Sequence, residues 1–333
     1  MTSVLGAMPT ETLAPPSKRK GSFKRSLWKN RWAYLLMVPG LILIAMFSIY
    51  PLVMSWVYSF YDWDGFSATK YFIAFTNYLE LARDGFFWRA FGRSVLFAVV
   101  STPVELIVSL ALALVLNDVA LRGRSVYRTL FFIPVVTTTA IMSIVMSFVF
   151  SAFRGPVNEI LMMVGITSKP IDFLGNPSTV LWTAIGIAVW KWCGQPMIYW
   201  MAGLQSVPSE IYEAARVDGA GLWRTFVNVT LPLLKPFTAM ITLIVLAGNL
   251  QVFALMQALT GGGPYYASEV MELYIYRLAF GVPENNIGPA AQRLGYASAA
   301  GVFFGVMLMI FGISQLIVLR RIRRDSGPVR AAA

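Results

Sequence analysis

Histidine is absent from the sequence, and Cys193 is its only cysteine. Histidine is the commonest general base and metal ligand, and several cysteines are needed for a disulfide framework or a cysteine-based metal cluster. Chemistry at a histidine or cysteine centre is therefore excluded. The sequence also has no Gly-Lys dipeptide and so lacks the phosphate-binding pattern Gly-x-x-x-x-Gly-Lys-Ser/Thr. We expect no cofactor or metal in this chain.

Charged residues are scarce. They make up 13% of the chain and hydrophobic residues 57%, whereas a soluble domain has about 25% charged residues. This composition excludes an ordinary water-soluble globule. The net charge is +11, from 27 basic and 16 acidic residues. By itself that charge fits a nucleic-acid-binding protein, a protein bound to an anionic membrane surface, or a membrane topology signal.

Long uncharged runs dominate the chain instead. A helix needs about 20 mostly apolar residues to cross a bilayer, and six such runs occur, two of them interrupted by one charge, Glu105 or Lys191. We therefore predict an all-α, polytopic integral membrane protein with six transmembrane helices. We place them near residues 33–58, 94–117, 129–152, 180–204, 236–258 and 296–319.

The basic residues predict the orientation. Both chain ends are rich in lysine or arginine, and the positive-inside rule places both of them in the cytoplasm, as an even number of spans requires. We interpret residues 1–31 as a disordered basic cytoplasmic tail and residues 320–333 as a second basic tail. Because the first basic run adjoins a membrane helix, a topology signal is favoured over nucleic-acid binding.

The predicted cytoplasmic loop at residues 205–235 has more organisation than a connector needs. Ser209 is a good N-cap, and Glu213 follows in the first part of the expected short helix. Gly219 should end this helix, and a second short helix should follow before Leu231-Pro232 turns the chain back into the membrane. The alternative interpretation is an amphipathic interfacial hairpin without a partner.

This loop resembles the EAA loop of the membrane-spanning permease subunits of binding-protein-dependent ABC importers. The lead-in at residues 202–208 and the later segment at residues 259–264 are similar to those of the carbohydrate-uptake branch, which includes maltose and glycerol-phosphate type permeases. The resemblance covers roughly residues 91–319. Its ATPase-coupling positions are Glu213, Ala214, Ala215, Asp218, Gly219, Ala220, Leu231 and Pro232.

The resemblance implies a type I ABC importer permease fold, with residues 91–319 as its core and residues 32–90 as an extra first helix and external loop. It also implies three protein partners in a bacterial-type inner membrane. These are an ABC ATPase dimer that binds ATP and Mg, a second homologous permease subunit that makes a heterodimer, and an extracytoplasmic sugar-binding protein. The chain itself is then a transport subunit without enzymatic activity.

Sugars are bound by aromatic faces and by side-chain amides and hydroxyls. Asn249 and Phe253 are four residues apart and should share a helix face. In disaccharide importers of this branch, the position matching Asn249 contacts the sugar. The fourth predicted helix contributes Trp192 beside further polar groups. The candidate residues of the substrate path are Asn249, Gln251, Phe253, Gln195, Lys191 and Glu105.

Glu105 and Lys191 lie near the centres of their predicted helices, where an ionisable group is costly unless it is paired or hydrated. They either neutralise each other as a structural pair or line the path. We predict the permease subunit of an ATP-driven ABC importer for a sugar or oligosaccharide. The alternatives are an ABC permease for a non-sugar solute and an ion-coupled secondary carrier that uses these two charges.

Overall fold

A computed structural model of the protein describes residues 31–118, 120–282 and 291–325. Most of the two predicted tails, residues 1–30 and 326–333, lies outside the described residues. Within the described residues the chain is mostly helical, as predicted. The structure adds a small antiparallel pair of two-residue strands, β1 (Tyr61–Asp62) and β2 (Tyr71–Phe72).

The described helices include long apolar ones and short connecting ones. Two π-helical turns, Ala45–Ile49 and Phe226–Thr230, lie between α-helical segments. In chain order the helices are α1 (Arg31–Ile44), α2 (Tyr50–Tyr58), α3 (Thr76–Arg83), α4 (Gly85–Asn117), α5 (Arg124–Val136), α6 (Thr139–Val149), α7 (Pro156–Met163), α8 (Val180–Trp192), α9 (Gly194–Gln205), α10 (Ser209–Val217), α11 (Leu222–Thr225), α12 (Leu231–Leu233), α13 (Lys235–Asn249), α14 (Phe253–Leu259), α15 (Met271–Phe280) and α16 (Leu294–Asp325).

Residues up to Met54 form one compact unit, and residues from Ser55 onward form a second. The first unit contains α1, a π-helical turn and the start of α2, which continue one another as predicted for residues 33–58. Pro51 has no backbone N–H to place in a regular helical ladder. The π-helical turn directly before α2 is the kind of local adjustment that accommodates such an interruption.

Among the described residues, three helical stretches are long and apolar enough to cross a membrane: Tyr34–Tyr58, Gly85–Asn117 and Leu294–Ile317. Two further apolar stretches are bent, by 101° between α5 and α6 and by 70° where α12 meets α13. If each bent pair is one span, the described residues contain up to five candidate spans. The fourth predicted crossing, residues 180–204, consists of the shorter helices α8 and α9.

Two of the other predicted crossings contain a break. The third predicted crossing, residues 129–152, is interrupted between α5 and α6, and the fifth, residues 236–258, between α13 and α14. Apolar content is the same on both sides of such a break, so hydropathy does not reveal it. A break inside a membrane becomes possible when groups from neighbouring helices satisfy the freed backbone atoms.

Helix α4 is the central element of the second unit and packs against α8, α9, α13 and α15. Its buried face carries small or hydroxyl-bearing side chains such as Ser101, Ser109 and Ala113, which let helices approach closely in a membrane protein. Trp200 Nε1 on α9 donates a hydrogen bond of 3.1 Å to Ser109 Oγ. The unbroken α4 thus holds the helices that surround it.

A carboxylate fixes the first turn of α4. Asp84 accepts a hydrogen bond of 2.7 Å from the Phe86 backbone N–H. It also accepts bonds from the hydroxyls of Tyr274 on α15, at 2.5 Å, and Tyr296 on α16, at 2.9 Å. Burial raises the pKa of Asp84, but these hydrogen bonds outweigh burial and hold the pKa below its usual value. The start of α4 is therefore tied to α15 and α16.

Gly194 begins α9 where this helix meets α5, and a Cβ there would collide with the Phe131 carbonyl oxygen. We expect Gly194→Val to lower the free energy of unfolding by about 1–3 kcal/mol, the usual cost of overpacking. Gly186→Val on α8 is the matched control, because a Cβ at Gly186 meets no atom within 4 Å. Thermal denaturation in detergent compares the two variants, and equal stability would contradict the close contact.

Candidate functional site

A cavity of about 250 Å³ lies in the second unit, bordered by α4, α6, α8, α9, α13 and α14. Its wall is mostly apolar and includes a few polar groups, which is the usual composition of a small-molecule site. The polar and aromatic residues of the lining are Glu105, Thr139, Trp192, Gln195, Tyr199, Asn249 and Gln251. The structure thus brings together four of the predicted path residues, namely Glu105, Gln195, Asn249 and Gln251.

Glu105 and Asn249 form a buried polar pair in this lining, with 3% exposure each. Asn249 Nδ2 donates hydrogen bonds of 3.1 Å to Glu105 Oε2 and 3.2 Å to Thr102 Oγ1. Since a side-chain amide has two N–H groups and one carbonyl oxygen, these bonds use both donors of Asn249. What Asn249 can offer a solute is its carbonyl oxygen, an acceptor for a hydroxyl group.

Neutral groups from α8 and α9 also line the cavity. Gln195 Nε2 donates a hydrogen bond of 3.0 Å to the Tyr199 hydroxyl one helical turn further along α9. Trp192, the last residue of α8, adds an aromatic surface. Amides, a phenol and a flat indole can bind hydroxyl groups and apolar C–H faces without supplying a charge.

Lys191 does not lie beside Glu105. Its ammonium donates hydrogen bonds of 2.9 Å to the carbonyl oxygens of Pro134 and Thr137, at the end of α5. It is fully buried and is not part of the cavity lining. The interpretation of Glu105 and Lys191 as a mutually neutralising pair is therefore wrong: the lysine is compensated by backbone oxygens and the carboxylate by an amide.

Phe253 is also absent from the cavity lining. Helix α13 ends at Asn249 and α14 begins at Phe253, so the predicted helix face shared by these two residues does not exist. The Phe253 backbone N–H donates to Glu272 Oε2 at 2.7 Å, and its ring packs against Tyr276 with the ring centroids 5.1 Å apart. The four-residue spacing was misleading because the helix is broken between the two positions.

A second candidate site is the EAA loop, residues 205–235. Its first helix, α10, begins at Ser209, but the N-cap position is occupied by Pro208 and no side chain caps the helix. The expectation that Ser209 is the N-cap is therefore wrong. After the π-helical turn and α12, which contains Leu231 and Pro232, the chain bends by 70° into α13.

The hydrogen bonds that end α10 account for the position of Gly219 relative to Ala215 in the EAA pattern. The Gly219 N–H donates to the Arg216 carbonyl at 3.0 Å, and the Ala220 N–H donates to the Ala215 carbonyl at 2.9 Å. These two bonds form a Schellman motif, which requires a left-handed residue at its glycine position. Gly219 has φ +72°, as this motif requires, and the predicted role of Gly219 in ending the helix is confirmed.

The remaining predicted coupling positions divide into packed and exposed groups. Ala215 is buried, while Glu213, Ala214 and Asp218 are exposed. Large apolar side chains of the same loop are also exposed: Val217 at 88%, Leu222 at 95% and Trp223 at 76%. Exposed apolar side chains gathered in one region of a surface mark an interaction site more often than isolated ones do.

Residues 81–324 match the family described as "Binding-protein-dependent transport system inner membrane component". The chain belongs to this family. It is therefore a transport permease and a membrane protein, as predicted, and it resembles solved permeases over nearly its whole length. One of these is a crystal structure of a bacterial ABC transporter involved in the import of the acidic polysaccharide alginate; the match covers 90% of this chain and 98% of that one, with a TM-score of 0.74 and 24% sequence identity.

Several relatives of this permease are named for the sugars they transport. It is 34% identical to the lactose transport system permease protein of Rhizobium radiobacter, over 89% of this chain and 95% of the relative. It is 33% identical to the trehalose/maltose transport system permease protein of Thermococcus litoralis, over 88% of this chain and 94% of the relative. Both alignments span the described cavity and the EAA loop.

The permease cavity also contains residues that were not among the predicted path residues. Tyr199 lies four residues after Gln195 on one helix, and this spacing was a usable signal. Thr139 had no such signal, because its place in the lining depends on the break before α6. Among the described residues, no group of three or more His, Cys, Asp or Glu side chains could hold a metal ion.

The contact between Glu105 and Asn249 is tested by a double-mutant cycle of Glu105→Ala and Asn249→Ala. We expect a coupling energy of about 0.5–3 kcal/mol, as for residues in direct contact, because removal of the amide leaves a buried carboxylate oxygen without its donor. Thermal denaturation of the permease in detergent measures it. Gln257→Ala replaces Asn249→Ala in the control cycle, since Gln257 is exposed; additivity in both cycles would contradict the pair.

Proposed function

We propose that this permease is the membrane-spanning subunit of an ATP-driven ABC importer that moves a sugar or oligosaccharide into the cytoplasm. The observation that carries this proposal is the chemistry of the cavity. Its lining combines the side-chain amides of Gln195, Asn249 and Gln251 with the aromatic groups Trp192 and Tyr199, and no lysine or arginine of the described part of the chain belongs to it. Such a wall suits a neutral, hydroxyl-rich solute.

The size of the cavity supports a second permease subunit. Its volume of about 250 Å³ lies just below the roughly 300–1,000 Å³ of small-molecule sites. We propose that the cavity is one wall of a path completed by a homologous chain in a heterodimer. The solute contacts Asn249, Gln251, Gln195 and Glu105. Phe253 and Lys191 lie outside the cavity lining and do not contact the solute.

The EAA loop is proposed as the contact with an ABC ATPase dimer that binds ATP and Mg. Glu213 and Ala214 are exposed on a short rigid helix, with the exposed Leu222 and Trp223 nearby in sequence. A rigid element transmits the movement of a partner, whereas a flexible segment absorbs it. The Schellman motif at Gly219 keeps α10 rigid up to its end.

For the membrane arrangement we propose six crossings in the inner membrane, with both termini in the cytoplasm. The three long helices and two bent pairs account for five candidate spans, and α8 with α9 supplies the sixth. An extracytoplasmic binding protein delivers the solute on the side opposite the EAA loop. A structural neighbour of this permease has been solved as an alginate ABC transporter in complex with a pentasaccharide-bound periplasmic protein.

A permease for a non-sugar solute is the competing function, since relatives also include sn-glycerol-3-phosphate transport permeases, at 29% identity. A phosphate ester needs cationic or backbone N–H groups to bind it. The described cavity offers Glu105 and neutral groups instead, and this favours the sugar. An ion-coupled carrier is disfavoured by membership in a binding-protein-dependent family.

The function is tested by co-purifying the permease with its partner chains and measuring ATP hydrolysis with the cognate binding protein and a panel of solutes. We expect stimulation by one neutral saccharide and none by phosphate esters. Stimulation by a phosphate ester alone would move the assignment to the competing function. A purified complex that hydrolyses no ATP with any solute would overturn the importer.

Coupling through α10 predicts different effects for two substitutions of Gly219. Gly219→Val places a β-branched residue at φ +72°, where the left-handed conformation costs a non-glycine residue about 1–2 kcal/mol. We expect it to lower solute-stimulated ATPase activity strongly while the complex still assembles. Gly219→Asn is the control, because asparagine tolerates this conformation and a Cβ there meets no atom within 4 Å. Equal activities of the two variants would contradict the role of the helix end.

A further inference from the structure

Lys191 is a buried charge for which the proposed transport function provides no task. Its side chain has 0% exposure, and its ammonium donates to the Pro134 and Thr137 carbonyl oxygens, both at 2.9 Å. These oxygens lie where α5 stops. The N–H groups of a following helical turn, which would otherwise donate to them, are therefore missing. A cation is favourable at this end of a helix. The break and the lysine therefore stabilise each other.

The second break, between α13 and α14, is contacted by an acidic side chain instead of a basic one. Phe253 is the first residue of α14, directly after the interruption at residues 250–252. Its backbone N–H donates to Glu272 Oε2 at 2.7 Å. Glu272 belongs to α15 and lies outside the cavity lining, like Lys191. Each of these two interruptions is thus held by one charged side chain from a neighbouring helix.

The two breaks border the same cavity. Thr139, the first residue of α6, and Gln251 with Val252, in the second break, all belong to the lining. Helices α6 and α14 pack against each other beyond the breaks. Lys191 also lies 4.4 Å from the ring centroid of Trp192, which is another lining residue. One wall of the cavity is therefore positioned by two charges that do not face the solute.

We propose that Lys191 and Glu272 are positioning residues of the transport path, which hold the wall formed by α6 and α14 in place by fixing the two helix breaks. The inference rests on the proposed function and adds to it. Neither residue contacts the solute. Both act through backbone atoms: the carbonyls of Pro134 and Thr137 on one side and the Phe253 N–H on the other.

The first test compares Lys191→Met, which removes the donors, with Lys191→Arg, which keeps them. In the assembled complex, Lys191→Met should raise ATP hydrolysis without the binding protein by about tenfold, within the range of coupling changes caused by remote substitutions. Lys191→Arg should stay closer to the unmodified protein. Lys169→Met makes the same chemical change at an exposed lysine and should have no effect. Unchanged ATP hydrolysis in Lys191→Met would overturn the proposal.

Glu272 provides an independent pair of variants. Glu272→Met removes the acceptor of the Phe253 N–H, whereas Glu272→Gln keeps an acceptor oxygen without the charge. We expect the methionine variant to behave like Lys191→Met and the glutamine variant to retain most of the coupling. If Lys191→Met does not accumulate in the membrane, ATP hydrolysis without the binding protein is compared between the two Glu272 variants instead. Equal behaviour of Glu272→Met and the unmodified protein would then overturn the proposal.

A measurement that does not depend on transport separates this inference from the proposed function. Thr139→Cys, in a chain with Cys193→Ala, places a thiol in the lining at the start of α6. In membranes, we expect Lys191→Met to increase the rate at which the introduced thiol reacts with a water-soluble maleimide by about tenfold. The reason is that water reaches the start of α6 once its position is no longer fixed. No change in this rate would count against the positioning role. Failure of the importer itself would instead show as an unmodified complex without ATP hydrolysis.

Discussion

A backbone N–H or carbonyl that loses its helical partner within a bilayer has no water to replace it. The second unit of this permease depends on how that constraint is met. Two of its apolar segments stop and restart near the cavity. At one stop the Lys191 ammonium donates to two carbonyl oxygens at the end of α5, one of which also accepts from the Thr137 hydroxyl, and at the other the Glu272 carboxylate accepts from the Phe253 N–H. The cavity lies beside both breaks, since Thr139 at one and Gln251 with Val252 at the other belong to its lining.

Helix α4 is the unbroken counterpart of these segments. Asp84 holds its first turn, Ser109 accepts a hydrogen bond from Trp200 in its second half, and Arg128 donates a hydrogen bond of 2.8 Å to the Leu116 carbonyl oxygen at its end. Glu105 projects from this helix into the cavity. The acidic group of the path is thus carried by an unbroken helix, while Thr139 and Gln251 of the same lining lie at the two helix breaks.

Much of the architecture was predictable from charge-free runs, because every crossing requires apolar residues whatever its detailed path. Gly219 was predictable too, since a helix that ends in a left-handed residue favours glycine at that position. The relation between Glu105 and Lys191 was not predictable. Both lie near the centres of apolar runs, but the sequence does not show which partner a charge reaches across the bundle. Phe253 was misassigned for the related reason that helical spacing applies only within one helix.

The sequence by itself determined that the chain is helical and lies in a membrane, and its EAA pattern indicated the transporter family. These properties follow from composition and from short-range spacing, which act within single segments. Only the tertiary structure decided where the segments break, which side chains line the cavity and which groups compensate Lys191. Those properties depend on hydrogen bonds such as the one from Lys191 to Pro134, 57 positions apart in the chain, and such bonds form only when the helices pack together.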